Sequence, residues 1–434
     1  MDVEINPIDK IVGEAKMPGD KSISHRLVMI GSIAKAKTVA KNFLSGDDCL
    51  RTVEAFKKMG VEIKIAGDKL TIKGVGFNGL EKPDTELYLG NSGTSMRLLA
   101  GILAGQNFET VLTGDESLTK RPMKRIIEPL KKMGAELSSI KNDGCPPLKM
   151  KGSRLKGIAY KMPIASAQVK SCILLAGLYA NGKTSVEEPF QSRDHTERML
   201  KLFGAKIESR NRITQVLPGQ PLLGKEIIIP GDISSAVFFI VLGLILPGSK
   251  IKIVDVGINP TRSAIIEVLK RMGADIRIDR RTDAFEPMCD LTVSSSSLKS
   301  TIVIEEEVPQ IIDEIPALCV AAAYADGVTE IRGAGELRVK ETDRISSMLE
   351  NLRQLGVSIS VKGITILVEG KRKRISPAKK ATGEVILNSF GDHRTAMAMC
   401  VAAASSDSIC KIKDVACINT SFPDFFDVFN YLKK

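Results

Sequence analysis

The stretch Lys57-Lys58-Met59-Gly60-Val61-Glu62-Ile63 recurs in altered form along a chain of 434 residues. Each copy joins the end of a predicted amphipathic helix to a predicted strand through a single glycine. Glycine suits this position because the residue after a helix often adopts a left-handed conformation. The pattern therefore predicts five similar helix-to-strand junctions. The further copies cover residues 131–137, 201–207, 270–276 and 353–359.

A second pattern lies between these junctions: a polar turn, then a segment that is apolar on nearly every side, then a strand. Helices without a polar face need cover on all sides, and we expect outer sheets to provide it. The two patterns together predict six repeats of roughly 70 to 80 residues. The polar turns begin at residues 19, 90, 165, 231, 310 and 391, and examples of the apolar helices are 171–180, 236–246 and 317–325.

The two ends of the chain complement each other. A predicted strand at 3–6 has no helix before it, and the last predicted amphipathic helix, 422–432, has no strand after it. We therefore expect both ends in one domain and the six repeats in two lobes of three. With chain crossings near 13–19 and near Pro230, lobe I comprises residues 1–18 plus 231–434, and lobe II comprises residues 19–230.

The charge balance favours anionic partners. The chain has 62 Lys and Arg against 51 Asp and Glu, which gives a net charge of +11 and a pI near 9.1. Nucleic acid, acidic membranes and phosphorylated metabolites are all compatible with that charge. Fourteen Phe, five Tyr and no Trp are few for stacking on bases, and the cations form no long tract. These features weaken the nucleic-acid interpretation, and a solvated basic surface is the alternative.

The sequence shows neither a secretory signal nor a segment long enough to cross a bilayer. The longest apolar run, 236–246, is short and contains Gly243. The eight cysteines form no C-x-x-C pair, and His25, His195 and His393 lack metal-ligand spacing. We therefore expect a soluble cytoplasmic protein with reduced cysteines, no metal and no membrane partner.

Cations recur at the starts of the predicted helices, where free N–H groups and the helix dipole favour anions. If the two lobes face each other, these cations converge on one cleft. Each one alone could equally be a solvated cation at a helix end. The turn Gly19-Asp20-Lys21-Ser22 is not a P-loop, because Asp20 stands where that motif needs its second glycine. The cations at these helix starts and turns are Lys21, Arg26, Arg97, Arg121, Arg193, Lys340, Arg344 and Arg394.

Two acids stand among these cations. Asp313 lies near the start of an apolar helix, and Glu341 lies between Lys340 and Arg344. A carboxylate whose pKa is tuned by burial can accept or donate a proton, and such a pair suits addition and elimination at a double bond. The alternative is structural: Asp313 as a helix N-cap and Glu341 as an ion-pair partner.

Four motifs carry a family resemblance: 18–26 (PGDKSISHR), 89–97 (LGNSGTSMR), 338–344 (RVKETDR) and 391–394 (GDHR). With these motifs the chain resembles the 3-phosphoshikimate 1-carboxyvinyltransferase, or EPSP synthase, family from end to end. The resemblance implies an α/β protein with the two-lobed enolpyruvyl transferase fold. This fold is an inside-out α/β barrel built of six βαβαββ repeats, three per lobe, with the active site in the cleft between the lobes.

The resemblance also implies a reaction of the shikimate pathway, on the route to chorismate and the aromatic amino acids. The enolpyruvyl group of phosphoenolpyruvate moves to the 5-hydroxyl of shikimate 3-phosphate, and phosphate leaves by addition and elimination. Asp313 would take the hydroxyl proton, Glu341 would handle the methylene proton, and Lys21 would stabilise charge or act as an acid. No cofactor and a monomeric protein are implied.

The substrate contacts are likewise implied by the resemblance, residue by residue. For shikimate 3-phosphate they are Lys21, Ser22, Arg26, Ser166, Ala167, Gln168, Arg193, Asp313 and Lys340. For phosphoenolpyruvate they are Lys21, Asn91, Gly93, Arg121, Gln168, Arg344 and Arg394.

Segments 19–24 (GDKSIS), 166–170 (SAQVK), 193–197 (RDHTE) and 259–262 (NPTR) resemble the second class of this family, which is often less inhibited by glyphosate. Gly93, however, keeps space open beside phosphoenolpyruvate, so glyphosate is a possible inhibitor and tolerance is a hypothesis. Some members place a Lys before the Ser-Phe-Pro-Asp segment, where this chain has Thr420.

Two alternatives compete with this interpretation. UDP-N-acetylglucosamine enolpyruvyl transferases typically carry a cysteine in the loop before an Arg-Pro pair, and residues 116–122 contain none. A non-catalytic basic protein that binds nucleic acid would lose affinity steeply with salt and would have no need of Asp313.

Overall fold

Six small β-sheets contain the strands of residues 1–377 and 385–434, which are the residues that this computed structural model describes. The helices lie between the strands in chain order. The strands are β1 (Val3–Ile5), β2 (Val12–Lys16), β3 (Lys35–Lys41), β4 (Glu62–Ala66), β5 (Lys69–Val75), β6 (Leu87–Tyr88), β7 (Glu109–Thr113), β8 (Glu136–Ser139), β9 (Leu148–Lys151), β10 (Ala159–Lys161), β11 (Thr184–Glu187), β12 (Lys206–Arg210), β13 (Ile213–Leu217), β14 (Glu226–Ile228), β15 (Lys250–Gly257), β16 (Asp275–Thr282), β17 (Met288–Ser294), β18 (Ile302–Val303), β19 (Asp326–Ile331), β20 (Ser358–Lys362), β21 (Thr365–Lys371), β22 (Val385–Asn388) and β23 (Cys410–Lys413).

The α-helices are α1 (Lys21–Ser32), α2 (Asp47–Lys58), α3 (Gly93–Leu103), α4 (Lys124–Lys132), α5 (Ala167–Gly177), α6 (His195–Leu202), α7 (Ile233–Ile245), α8 (Ala264–Arg271), α9 (Val308–Ile311), α10 (Ile315–Ala323), α11 (Arg344–Gln354), α12 (His393–Ser405) and α13 (Phe425–Leu432). Three 3₁₀ helices cover Leu118–Lys120, Ala334–Val339 and Val415–Thr420. Within the described residues, no helix is both long and apolar enough to span a membrane.

The chain divides into two compact units. The terminal unit consists of Met1–Pro18 and Pro230–Lys434, and the inserted unit consists of Gly19–Ile229. Pro230 belongs to the terminal unit, one residue from the boundary expected from the sequence. The sheets of the inserted unit have the strand orders β14-β3-β5-β4, β6-β7-β9-β8 and β10-β11-β13-β12. Those of the terminal unit have the orders β16-β17-β15-β2, β18-β19-β21-β20 and β1-β23-β22.

Each four-stranded sheet combines one parallel pair with an antiparallel hairpin. In the repeat that starts at β6, β6 pairs in parallel with β7, and β7 pairs with the hairpin of β8 and β9. Helix α3 joins the parallel strands and α4 leads into the hairpin. This order is the predicted βαβαββ repeat, and the expected α/β fold class is confirmed.

Three strands complete sheets far from their neighbours in the chain. Strand β14 pairs in parallel with β3, and β2 pairs in parallel with β15, so both repeats are permuted around the chain crossings. Strand β1 pairs antiparallel with β23, with Val3 opposite Ile412. Strands from the two ends of the chain therefore share one sheet.

The junction glycines adopt the backbone conformation that the sequence predicts. Gly60, Gly134, Gly204, Gly273 and Gly356 all have positive φ, between 74° and 99°. A residue with a Cβ atom is disfavoured in this left-handed region. Each amphipathic helix of the pattern therefore ends where its sequence repeat ends.

The apolar helices are buried, as predicted. All thirteen residues of α7 are buried, and on one side the ring of Phe239 lies 6.0 Å from that of Phe422 and 5.5 Å from that of Phe425. Removing an aromatic or aliphatic side chain of this size from water contributes about 1.5–3 kcal/mol. Helix α5 starts at Ala167, earlier than expected, because the Ser166 side chain caps it by accepting from the Val169 N–H over 3.4 Å.

Candidate functional site

Lys21 opens α1 in the inserted unit. Asp20 caps the helix, and its carboxylate accepts from the backbone N–H of Ile23 over 2.9 Å. The Nζ atom of Lys21 lies 3.0 Å from Oδ2 of Asp48, and both side chains are mostly buried. The ammonium of Lys21 is thus held in place at the helix N-terminus, where the helix dipole adds to its positive charge.

Arg26 connects three helices of the inserted unit. Its Nε donates to Oγ1 of Thr196 on α6 over 2.7 Å, and its Nη2 donates to Oγ of Ser171 on α5 over 3.0 Å. Its Nη1 donates to the carbonyl of Ser22 within α1, over 2.9 Å. The guanidinium is buried. Arg26 therefore holds the segments that carry Ser22 and Gln168 at a fixed spacing.

Asn91, Gly93 and Arg121 meet at the start of α3. The Nη1 of Arg121 donates to the carbonyl of Asn91 over 3.1 Å, and its Nη2 donates to the Asn91 side chain and, over 3.1 Å, to Oγ of Ser117. A Cβ atom on Gly93 would lie 2.7 Å from Nη1 of Arg97 and 3.2 Å from Nη1 of Arg121. Only glycine fits here without displacing one of these guanidinium groups.

Gln168 joins the first turn of α5 to α3. Its Oε1 accepts from Nη1 of Arg97 over 2.8 Å, and its Nε2 donates to Oγ1 of Thr94 over 2.9 Å. The neighbouring Ser166 and Ala167 are partly exposed. Both helix N-termini and the Gln168 amide therefore lie together, an arrangement that suits recognition of an anion.

Three helices of the inserted unit are also linked through a buried histidine. The Nδ1 of His25 on α1 is 2.7 Å from Oγ1 of Thr52 on α2, which is 2.7 Å from Oγ of Ser95 on α3. Burial, reinforced by the charges of Lys21 and Arg26, holds the pKa of His25 well below its usual value. The imidazole is therefore neutral at physiological pH.

In the terminal unit, Arg344 joins three carboxylates. Its Nε donates to Oδ2 of Asp392 over 2.7 Å, its Nη1 to Oδ1 of Asp313 over 3.0 Å, and its Nη2 to Oε2 of Glu341 over 2.5 Å. The Nε of Arg394 lies 3.5 Å from the same Asp313 oxygen. The structure thus brings together four residues predicted for the site, with Asp392 added.

The Arg344 side chain is only 1% exposed. Burial by itself lowers the pKa of Arg344, but the carboxylates of Asp392, Glu341 and Asp313 outweigh it and hold the pKa above its ordinary value. The guanidinium is therefore charged at every working pH. The cluster of two arginines and three carboxylates has a formal charge of −1.

The structural alternative for Asp313 as a helix cap is wrong. Glu314 stands at the N-cap position of α10 without a capping side-chain bond, and Asp313 contacts Arg344 and Arg394 instead. The Glu341 carboxylate is an ion-pair partner of Arg344, as the corresponding alternative proposed. That contact does not exclude a role in proton transfer.

The remaining predicted residues lie at helix and turn boundaries within their own units. Arg193 is partly buried in the segment between β11 and α6. Lys340 is partly buried directly after the 3₁₀ helix Ala334–Val339.

Arg262 is a second buried arginine, and the sequence did not predict it as part of the site. The Nη1 of Arg262 donates to Oε1 of Glu314 over 2.6 Å, and its Nη2 donates to Oδ1 of Asp232 over 3.0 Å. Glu314 is the neighbour of Asp313. The signal was present in segment 259–262, which the family resemblance singled out without a role. Asp48, Thr196 and Asp392 were missed as well, because their partners are distant in sequence.

Comparison with known proteins identifies the family of the chain. A family model described as EPSP synthase (3-phosphoshikimate 1-carboxyvinyltransferase) matches residues 5–429. A protein of Citrifermentans bemidjiense named 3-phosphoshikimate 1-carboxyvinyltransferase is 50% identical over 425 residues, covering 98% of this chain and 97% of its own. One of the same name from Bacillus velezensis is 46% identical over 428 residues, covering 98% of each chain.

Solved structures show the same relationship. The EPSP synthase of Acinetobacter baumannii superimposes with a TM-score of 0.87 at 44% identity, over 100% of this chain and 98% of that one. The enolpyruvyl transferase NikO of Streptomyces tendae shares the fold, with a TM-score of 0.78 at 18% identity over 99% and 96% of the two chains. From its full-length match and its identity to these relatives, the chain belongs to the EPSP synthase family.

Proposed function

We propose that this protein transfers the enolpyruvyl group of phosphoenolpyruvate to the 5-hydroxyl of shikimate 3-phosphate and releases phosphate. The observation that carries the proposal is the buried cluster around Arg344. In it both acids proposed for proton transfer, Asp313 and Glu341, bind one guanidinium at 3.0 Å and 2.5 Å. This arrangement supports two carboxylates with different roles in addition and elimination.

Shikimate 3-phosphate is the proposed ligand of the segments that Arg26 ties together. Ser22, Ser166 and Gln168 supply hydroxyl and amide groups at the starts of α1 and α5, and Arg193 adds a cation beside α6. Helix N-termini and arginines both favour a phosphate monoester. Lys21, Arg26, Ala167, Asp313 and Lys340 complete the proposed set.

Phosphoenolpyruvate is the proposed ligand of the group at the start of α3. Arg121 and Gly93 support an anion there, because the guanidinium is fixed by Asn91 and the glycine leaves room for the guanidinium groups of Arg97 and Arg121 beside the helix N-terminus. Arginine suits planar, bidentate capture of a carboxylate or a phosphate. Lys21 and Gln168 are proposed to lie between the two substrates, and Arg344 and Arg394 to contact phosphoenolpyruvate from the other lobe.

We infer that the active site forms in a cleft between the two lobes. The two substrates together carry roughly −5 to −6 charges in their phosphates and carboxylates. The seven Lys and Arg residues among the proposed substrate contacts suit that charge. Arg344 and Arg394, however, already face three carboxylates in the terminal unit. Substrate anions must therefore share Arg344 with Asp313 and Glu341.

The proposed reaction has two stages. The 5-hydroxyl oxygen attacks carbon 2 of phosphoenolpyruvate while Asp313 takes the hydroxyl proton and carbon 3 gains a proton from an acid. In the second stage the carbon–oxygen bond to phosphate breaks, and Glu341 removes a proton from the new methyl group to form the enol ether. Lys21 is proposed to stabilise the phosphate charge or to act as the acid. No cofactor takes part in this scheme.

Several finer properties belong to the same proposal. We infer a cytoplasmic monomer that neither nucleic acid nor a membrane binds, and glyphosate as an inhibitor that competes with phosphoenolpyruvate beside Gly93. An inhibition constant as low as that of sensitive family members would contradict the hypothesis of glyphosate tolerance. UDP-N-acetylglucosamine is the less supported acceptor, because the chain matches the EPSP synthase family over residues 5–429.

The test is a direct assay. The protein is mixed with phosphoenolpyruvate and shikimate 3-phosphate, and released phosphate is measured against a parallel reaction with UDP-N-acetylglucosamine. We expect release only with the shikimate ester. No release with that ester contradicts the proposed function, and release only with the nucleotide sugar supports the rival acceptor.

A further inference from the structure

A buried lysine lies under the proposed shikimate 3-phosphate site. The Nζ of Lys170 on α5 is 2.7 Å from Oε2 of Glu188, which follows β11, and 2.6 Å from Oε1 of Glu197 on α6. The side chains are 1%, 1% and 7% exposed, respectively. We call these three residues the Lys170 triad. None of them belongs to the substrate contacts proposed above.

The Lys170 triad is a costly way to stabilise a core. Ions lose their hydration on burial, and well-packed apolar residues of similar volume are often as stable or more so. Burial by itself lowers the pKa of Lys170, but its two carboxylates outweigh this and keep the pKa above the ordinary value. Burial also raises the pKa of Glu197. With all three ionised, the triad has a formal charge of −1, so stability alone does not explain it.

The position of the Lys170 triad suggests what it does. Lys170 comes two residues after Gln168 on the first turns of α5. Glu188 accepts a hydrogen bond from the hydroxyl of Ser192, the residue before Arg193. The triad therefore reaches both segments that carry the proposed contacts to shikimate 3-phosphate, and it connects them through charged bonds of defined length.

Arg26 makes a matching connection between the same helices. It contacts Ser171 and Thr196, the direct sequence neighbours of Lys170 and Glu197. Ser171 and Thr196 also share a hydrogen bond of 2.6 Å. Helices α5 and α6 are thus joined at two adjacent positions, once by a guanidinium and once by an ammonium. Charged hydrogen bonds are more directional than apolar contacts, so such joints fix spacing.

We propose that Lys170, Glu188 and Glu197 are positioning residues that set the distance between the Ser166–Gln168 turn and Arg193, and through it the affinity for shikimate 3-phosphate. The inference rests on the proposed function and names a role for residues outside the substrate contacts. Gln168, which is proposed to contact both substrates, is also held by Arg97 and Thr94 of α3. Loss of the triad should therefore displace mainly the segment of Arg193, and phosphoenolpyruvate binding is expected to change little.

The experiment replaces the charges and keeps the volume, in the variant Lys170→Met/Glu188→Gln/Glu197→Gln. We expect it to fold, by circular dichroism, and to raise the KM for shikimate 3-phosphate at least about tenfold, because small misplacements of contact groups weaken binding strongly. The KM for phosphoenolpyruvate should stay within about twofold. The matched control is Lys151→Met/Glu136→Gln, which removes an exposed pair and should leave both constants unchanged.

Equal changes in both KM values, or no change in either, overturn the proposal. If the triple variant does not fold, Glu197→Gln alone leaves Lys170 paired one-to-one with Glu188 and gives the decisive measurement, with an expected rise of about threefold or more in the KM for shikimate 3-phosphate alone. The single variant Lys170→Arg keeps the positive charge and should lose less affinity for shikimate 3-phosphate than the triple variant does.

Calorimetric binding of shikimate 3-phosphate without phosphoenolpyruvate separates this proposal from the proposed function. A wild-type protein that binds the ester but releases no phosphate contradicts the proposed function, and the comparison of affinities between wild type and variant still decides the role of the triad. A wild-type protein that does not bind the ester overturns both.

Discussion

Arg344 and Asp392 form a buried ion pair of 2.7 Å between the first residue of α11 and the N-cap of α12. Asp392 at the same time accepts hydrogen bonds from the backbone N–H groups of Arg394 and Thr395. The Asp392 carboxylate thus caps α12 and also holds the Arg344 guanidinium, which binds Asp313 and Glu341. The geometry of the two proposed proton-transfer acids depends on this pair.

Replacing Arg344 by Met should destabilise the protein by about 3–5 kcal/mol, because three carboxylates lose a buried partner. Urea unfolding at pH 7.5 measures the loss. The matched control is Arg338→Met, which removes an exposed pair with Asp343 and should change stability by less than about 1 kcal/mol. Equal losses in the two variants would show that burial does not determine the effect.

Replacing Asp313 by Asn keeps its size and removes its basicity. We expect turnover to fall by roughly 10² or more, as for the loss of a proton-transfer group, while the dissociation constant for shikimate 3-phosphate stays within about tenfold. Steady-state phosphate release and calorimetry give the two values. Asp326→Asn, at an exposed side chain, is the control and should behave like wild type. Unchanged turnover in Asp313→Asn removes Asp313 from the mechanism.

Replacing Gly93 by Ala adds a methyl group 2.7 Å from Nη1 of Arg97. The guanidinium must move and weaken its bond to Gln168, so we expect the KM for phosphoenolpyruvate to rise roughly tenfold with an unchanged fold, the size of effect that a small misplacement produces. In the control Gly243→Ala, the new methyl meets its neighbours at 3.4 Å or more, and the KM should not change. A wild-type KM in Gly93→Ala would mean that Arg97 does not affect this substrate.

His25 should make stability depend on pH. Its folded-state pKa lies well below 6.5 because of burial and the charges of Lys21 and Arg26, so the unfolded chain binds a proton where the folded protein does not. Stability from this group is present above about pH 6.5 and is lost as pH falls, by roughly 1 kcal/mol between pH 7.5 and 5.5. Urea unfolding of wild type and His25→Gln at both pH values measures it. The variant should lack this pH-dependent contribution to the free energy of unfolding. Identical pH dependence in wild type and variant would contradict the prediction.

The sequence predicted the parts of the fold that depend on local rules. The junction glycines, the polar helix starts at Asp20 and Asp392, and the apolar helix over 236–246 follow from backbone conformation, capping and burial. The permuted strands do not follow from local rules, because the pairing of β14 with β3 places Glu226 opposite Val39, nearly 190 residues away in the sequence. No local pattern specifies such a register.

The sequence suggests candidate residues for the site but not how they pair. The sequence placed Asp313 and Arg344 in one site, yet it offered helix capping as the alternative for Asp313, which is wrong because Glu314 holds the N-cap position of α10. The pairing of Arg262 with Glu314 and of Lys170 with Glu197 was not predicted at all. A charged residue in an apolar segment, such as Lys170 in α5, is the signal that could have revealed the latter.

The pairing of β1 with β23 affects how the protein is made on the ribosome. Val3 lies opposite Ile412, so β1, once it has left the exit tunnel, waits for a partner synthesised about 400 residues later. At roughly 5–20 residues per second this wait lasts about 20–80 s. Gly19–Ile229 contains all strands of its own sheets and can fold during that time. The unpaired edge of β1 is therefore exposed to chaperones or to neighbouring chains until β23 has been synthesised, whereas the partner of β2, β15, follows much earlier in the chain.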